Sequence, residues 1–149
     1  YAVVDVGTGR EKELADSVGT WITLEDYLIK DAKTNMSRVV SADTPGAKKA
    51  ILDYEVVQLQ ANKALFRVTL HTGRHHQIRV QLSDAGFPIV GDMKYNTKPC
   101  DGTAAGMRNG DVLALCSYKL NFSHPVTKKR MCYEIVPNGS GFAGFNITI

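Results

Sequence analysis

The sequence predicts an α+β fold, a mixed and mainly antiparallel sheet with few helices. Three observations lead there. Residues 51–59 are rich in β-branched and aromatic side chains, and in the next stretch Ala64, Phe66, Val68 and Leu70 alternate with Leu65, Arg67, Thr69 and His71. A helical period is clear in one place, through Ile78, Leu82 and Ala85. Strands joined by hairpins, with an occasional helix, make a sheet domain of this class.

The elements follow in chain order. Tyr1 to Val6 reads as a strand. Residues 14–40 lack a clean period and read as short strands and turns. Ile51 to Leu59 and Ala64 to Leu70 form a hairpin, broken at Gln60-Ala61-Asn62-Lys63. Gly73 lets the backbone turn sharply where strand meets helix, and Thr72 is placed to cap a short helix from about His75 to Ala85, which Gly86 and Pro88 end. GDMKYN (residues 91–96) and DGTAAGMRNGD (residues 101–111) read as turns and an exposed loop. Strands over Val112 to Phe122 and Arg130 to Val136, joined by a turn at Ser123-His124-Pro125, precede a glycine-rich tail that is expected to be peripheral after Pro137.

At 149 residues the chain fits one domain with a real core, and 44% apolar with 22% charged residues describes a globular protein. No run of about 18 apolar residues could span a bilayer, so no membrane partner is expected. The chain starts at a tyrosine inside a strand-like segment, which suggests a piece of a longer protein. Cys100, Cys116 and Cys132 are unpaired in spacing, which argues against a disulfide framework or zinc knuckle and for a reducing, cytoplasmic setting. The net charge of +3 conceals an asymmetry. Residues 1–62 hold 7 Lys/Arg against 10 Asp/Glu, whereas residues 63–130 hold 11 against 4. A block this basic favours a polyanionic partner.

The stretch HTGRHHQIRVQ, residues 71–81, concentrates hydrogen-bond donors at a strand-to-helix junction. Free N–H groups at a helix start suit an anion, with Arg74 at the junction and His75 and Arg79 four apart on one face. Arg79, between Ile78 and Val80, would be partly desolvated and would want a carboxylate or phosphate. The three histidines raise the question of a metal. However, His71 ends a strand, His75 and His76 are adjacent and expected to point apart, and no acid or cysteine is placed locally to complete a set, so no metal is expected. His124 reads as a turn residue bonded to backbone, and Cys116 as a small apolar residue. GxSxG, P-loop and GxGxxG segments are absent. The residues alone describe a binding platform with a preorganised arginine.

Together, LHTGRHHQIRVQ (residues 70–81), GFPIVGDMKY (residues 86–95), Leu113-Ala114-Leu115 and LNFSHP (residues 120–125) resemble the RluA/RluD type of pseudouridine synthase. Tyr1-Ala2-Val3-Val4 and AKKAILDY (residues 47–54) are similar to that family as well. The resemblance implies an isomerase of uridines in ribosomal or transfer RNA, working without cofactor or metal. It also implies that residues 1–149 are the C-terminal portion of one catalytic domain. The family's catalytic aspartate lies in an Arg-Leu-Asp triplet, and no such triplet occurs here, so it is expected upstream and this chain alone is expected to be inactive.

By the same resemblance Arg79 is the partner of that aspartate. The active-site tyrosine is either Tyr1 or a residue just before it. Ile78 and Leu115 become apolar walls for a flipped uracil, although Cys116-Ser117 departs from the His-Ala usual after that leucine. Arg74, His75, Gln77 and Lys94 become substrate-binding residues, and Lys128 to Arg130 further phosphate contacts. The oligomeric expectation is a monomer. The competing reading is an RNA-binding module without catalysis.

Overall fold

The computed structural model describes residues 1–96 and 112–148; the predicted loop at 101–111 and Cys100 lie outside them. Five strands form an antiparallel sheet in the order β1-β5-β4-β2-β3: β1 Ala2–Asp5, β2 Trp21–Asp31, β3 Met36–Val40, β4 Lys48–Gln60 and β5 Lys63–Leu70. Two helices, α1 Glu11–Asp16 and α2 Gln77–Asp84, accompany it. A separate hairpin, β6 Lys119–Ser123 and β7 Arg130–Glu134, and a 3-10 turn at Ser140–Phe142 complete the described chain. The α+β expectation holds.

Residues 14–40 depart from expectation. They form α1 and one long hairpin, β2–β3, rather than short strands. The hairpin closes where the Asp31 carboxylate accepts from the Lys33 and Thr34 N–H groups and Asn35 takes a left-handed φ of 51°. The β4–β5 hairpin matches the expected pair, with a bulge between Val56 and Gln58.

Strand alternation divides the sheet into two faces. On one, Ala2, Phe66, Tyr54, Leu52 and Leu24 meet α2 and the segment after it; Phe66 stacks on Tyr54 at 4.8 Å and meets Phe87 edge-on at 5.3 Å. The other face carries Tyr1, Val3, Leu65, Arg67 and Glu55. Here the C-terminal tail overturns the peripheral reading. Phe142 is 7% exposed within the core, Gln60 donates to the Gly144 carbonyl, and Gln58 accepts from the Asn146 N–H. With both faces covered, Ala64, Leu65 and Phe66 are all fully buried.

The start of α2 also differs from expectation. The left-handed residue at the turn is His76, φ 53°, and Gly73 is not in that region. Thr72 does not cap the helix; its hydroxyl donates to Gln77 Oε1 at 2.8 Å and accepts from the Ile51 N–H. The helix end is as expected. Gly86, φ 85°, follows the last turn, its N–H reaching Ser83 O while the Phe87 N–H reaches Leu82 O, a Schellman closure. Of the predicted strand over Val112 to Phe122 only β6 forms, and Leu115 bridges singly to Ala2. At the β6–β7 turn His124 Nδ1 accepts from the Val126 and Thr127 N–H groups, the backbone role expected of it.

Candidate functional site

Arg79 lies on α2, and its guanidinium meets a carboxylate inside this chain. Nε and Nη2 donate to Asp92 Oδ2 and Oδ1, each at 2.7 Å. The Asp92 side chain is fully buried and that of Arg79 is 16% exposed. Asp92 Oδ1 also accepts from the Lys94 and Tyr95 N–H groups at 2.9 and 3.0 Å. Burial pushes the Asp92 carboxyl up, but the two Arg79 bonds, the backbone donors and the nearby charge outweigh it, holding the group below the usual carboxylate range. The bond to Asp92 raises the Arg79 value further. The pair is therefore a fixed ionic clamp, with Arg79 Nη1 left without a partner among the described residues.

Around the clamp stands a polar ring. The Arg79 guanidinium sits 5.0 Å over the Tyr95 ring. The Tyr95 hydroxyl accepts from the Ser37 N–H at 2.8 Å and meets His76 Nδ1 at 3.0 Å. His75 Nδ1 meets Ser37 Oγ at 2.9 Å. The two imidazoles lie 3.8 Å apart, centroid to centroid, so they do not point in different directions as expected; the left-handed turn at His76 swings its ring back onto His75. Burial lowers both imidazoles below their ordinary value, helped by Lys30 at His75 and by Arg79 at His76. Among the described residues no group of three or more His, Cys, Asp or Glu could hold a metal ion.

Gln77 is turned inward. It is 3% exposed, its Oε1 accepts from Thr72 and from the Arg74 N–H, and its Nε2 donates to Ile51 O. With its amide committed inward, it braces the turn. Tyr1 is not brought to Arg79. Ala2 is in register with Phe66 on the α2 face, so Tyr1 points to the opposite one, its ring tilted by 31° against that of Tyr118 with centroids 4.2 Å apart. Arg74 and His75 border an open cleft beside the clamp. Lys94 joins the site through its backbone, while its Nζ donates to Asn35 O. Ile78 and Leu115 are half-buried against the main core. Lys128 to Arg130 are exposed at the β6–β7 hairpin, a two-stranded sheet separate from the main one.

Sequence reasoning passed over Asp92 and Tyr95, reading GDMKYN as a turn. A signal was present: an acid and an aromatic three apart, directly after the apolar Phe87 to Val90 run, in a chain already known to need an anion for Arg79. It likewise missed the cross-strand Glu55–Arg67 pair, whose Glu55 side chain is nearly buried.

The family model described as RNA pseudouridylate synthase matches residues 1–84. Ribosomal large subunit pseudouridine synthase C of Buchnera aphidicola subsp. Baizongia pistaciae (strain Bp) is 34% identical over 126 residues, covering 82% of this chain and 40% of that protein. Ribosomal large subunit pseudouridine synthase D of Haemophilus influenzae (strain ATCC 51907 / DSM 11121 / KW20 / Rd) is 31% identical over 106 residues, covering 67% and 33%. The solved structure of Human RNA Pseudouridylate Synthase Domain Containing 1 superposes with a TM-score of 0.65 at 16% identity, over 91% of this chain and 52% of that one, a likeness of fold. This chain thus spans less than half the length of these two curated relatives.

Proposed function

The chain belongs to the RNA pseudouridylate synthase family, of the RluA/RluD type, and from that membership we propose that the protein carrying it isomerises uridine to pseudouridine in ribosomal or transfer RNA. The bond between a uracil ring nitrogen and ribose breaks, the ring turns, and a ring carbon takes up the bond. Atoms balance without a cofactor, and the proton lost from that carbon is exchanged for one on nitrogen.

The observation that carries the reading is the Arg79 clamp. Asp92 fixes the guanidinium through two of its nitrogens, leaving Nη1 without a partner among the described residues, at the edge of a partly open site. A carboxylate supplied from a segment N-terminal to residue 1 would be held ionised there and remain competent near neutral pH. By alternation along β1, a residue immediately before Tyr1 would lie on the α2 face, which favours that position over Tyr1 for the family's tyrosine. Ile78 and Leu115 then supply apolar contact to an unstacked base. Residues 1–149 form the C-terminal portion of the catalytic domain, acting as a monomer in the cytoplasm, and alone they bind RNA without forming product.

The test is pseudouridine formation by the complete protein on ribosomal RNA from cells lacking it, measured by nucleoside chromatography. Arg79→Lys should fold and lose activity by about 10²–10³-fold, since an ammonium cannot hold two carboxylates in a planar fork. Wild-type turnover with an unimpaired Arg79→Lys variant would remove Arg79 from the mechanism.

A further inference from the structure

Beside the clamp lies a cleft with no assigned occupant. Lys30 pairs with Ser37 and Leu28 with Lys48, so these four residues share one face of the sheet, the face on which α2 packs. There they border a cavity of about 480 Å³ together with Arg74 and His75. That volume lies within the range of small-molecule and nucleotide sites. Leu28, 4% exposed, gives it an apolar floor.

Its charge is one-sided. Among the described residues the lining holds three cationic side chains, Lys30, Lys48 and Arg74, and no carboxylate. None of the three has an ion pair among the described residues, whereas Lys49, one residue on and on the opposite face, pairs with Glu25 at 2.6 Å. Arg74 is held at its stem by Nε donating to Lys49 O at 2.8 Å, leaving its two terminal nitrogens without a partner among the described residues. Three unpaired like charges around one concavity repel, and a bound anion would relieve that repulsion. The cleft is also continuous with the clamp: the His75 ring lies against His76, His76 meets Tyr95, and Arg79 lies over Tyr95.

We propose that this cleft holds the phosphodiester backbone of the single-stranded RNA flanking the target uridine, with Lys30, Lys48 and Arg74 neutralising its phosphates. The inference rests on the RNA-modifying function proposed above and extends it to the path of the substrate. The strand enters over the β2–β3 hairpin, passes Arg74 and His75, and delivers the next nucleotide to Arg79. Such contacts position the RNA without reading its sequence, which is left to other parts of the protein.

The experiment measures binding of a fluorescein-labelled oligouridylate of about twenty nucleotides to the complete protein by anisotropy, between about 50 and 200 mM salt. Each lost phosphate contact lowers the slope of log K against log salt by about 0.7, so the double variant Lys30→Gln/Lys48→Gln should lower it by about 1.4. Lys49→Gln, on the opposite face of the sheet and outside the cleft, should leave the slope unchanged. Gly73→Val gives an independent obstruction. A Cβ at Gly73 meets nothing within 4 Å and the residue is not in the left-handed region, so the fold tolerates it while the added bulk enters the cleft and weakens binding. A wild-type slope in the double variant, or wild-type affinity in Gly73→Val, overturns the inference. So does calorimetric binding of inorganic pyrophosphate that the double variant loses while its RNA slope is unchanged, which would assign the cleft to a small free phosphate compound. Wild-type protein that binds no RNA and forms no pseudouridine overturns the functional reading itself, and this inference with it.

Discussion

Removing the Asp92 carboxylate tests the central geometric claim. In Asp92→Ala, Arg79 keeps a charge in a site where only 16% of its side chain reaches solvent, and the Lys94 and Tyr95 N–H groups lose their acceptor. Breaking a buried pair from one side costs about 3–5 kcal/mol, and the residual access of Arg79 to water places this case toward the lower end. At roughly 2–4 °C per kcal/mol for a domain of this size, the melting temperature should fall by about 10 °C. Asp92→Asn keeps an oxygen for the two backbone donors and Arg79 Nη2, but it turns an amide N–H2 toward Arg79 Nε and removes the counter-charge, so about 1.5–3 kcal/mol is expected. Urea denaturation of Asp92→Ala, Arg79→Ala and the double variant should show a coupling of about 2–3 kcal/mol. Additive losses, with a coupling under about 0.5 kcal/mol, would refute the clamp. The pH dependence has a definite sign. Because the folded Asp92 carboxyl is held low, its contribution is complete above the unfolded carboxylate value and is lost as pH falls through the folded one. Arg79, raised further, stays charged throughout and opens no window of its own.

Other outcomes follow from the fold. Gly86→Ala puts a side chain at φ 85°, with its Cβ 2.5 Å from Arg10 Nη1, and should cost about 1–2 kcal/mol in chemical denaturation, less if only the flexible guanidinium gives way. Phe142→Ala should cost about 3 kcal/mol despite its place in a glycine-rich tail, a value measurable by thermal melting and refuted by a wild-type melting temperature. His75 and His76 are held below the ordinary imidazole value, so the unfolded chain takes up protons first. Stability should therefore fall as pH drops from about 6.5 through the depressed folded values. Imidazole NMR titrations should show both rings neutral at pH 7, and ordinary values would contradict the packing described for them.

The reach of the amino-acid sequence is best judged at particular residues. Local chemistry announced itself where one element decides it. The β4–β5 alternation, the Gly86 helix end and the His124 turn depend on neighbours a few residues away, and the structure has them as expected. The family signature carried the likeness to pseudouridine synthases because ordered tokens do not require a fold to be recognised.

What failed was whatever depended on distant partners. Residues 14–40 lack a clean period because β2 has one face against solvent and the other only partly covered, so its burial follows what packs on it. The tail looked peripheral because glycines hide the few side chains, Phe142 above all, that fill a gap over the second sheet face. That Gln77 braces a turn through Ile51, a residue 26 positions away, was likewise out of reach. By itself the sequence determined the sheet class, the basic character of its second half and the need of Arg79 for an anion. Only the tertiary structure decided that Asp92 within this chain holds Arg79 and that Lys30, Lys48 and Arg74 share one cleft. Strand register and helix packing bring those side chains together across 13 to 44 positions of sequence, and hydrophobic pattern alone encodes neither.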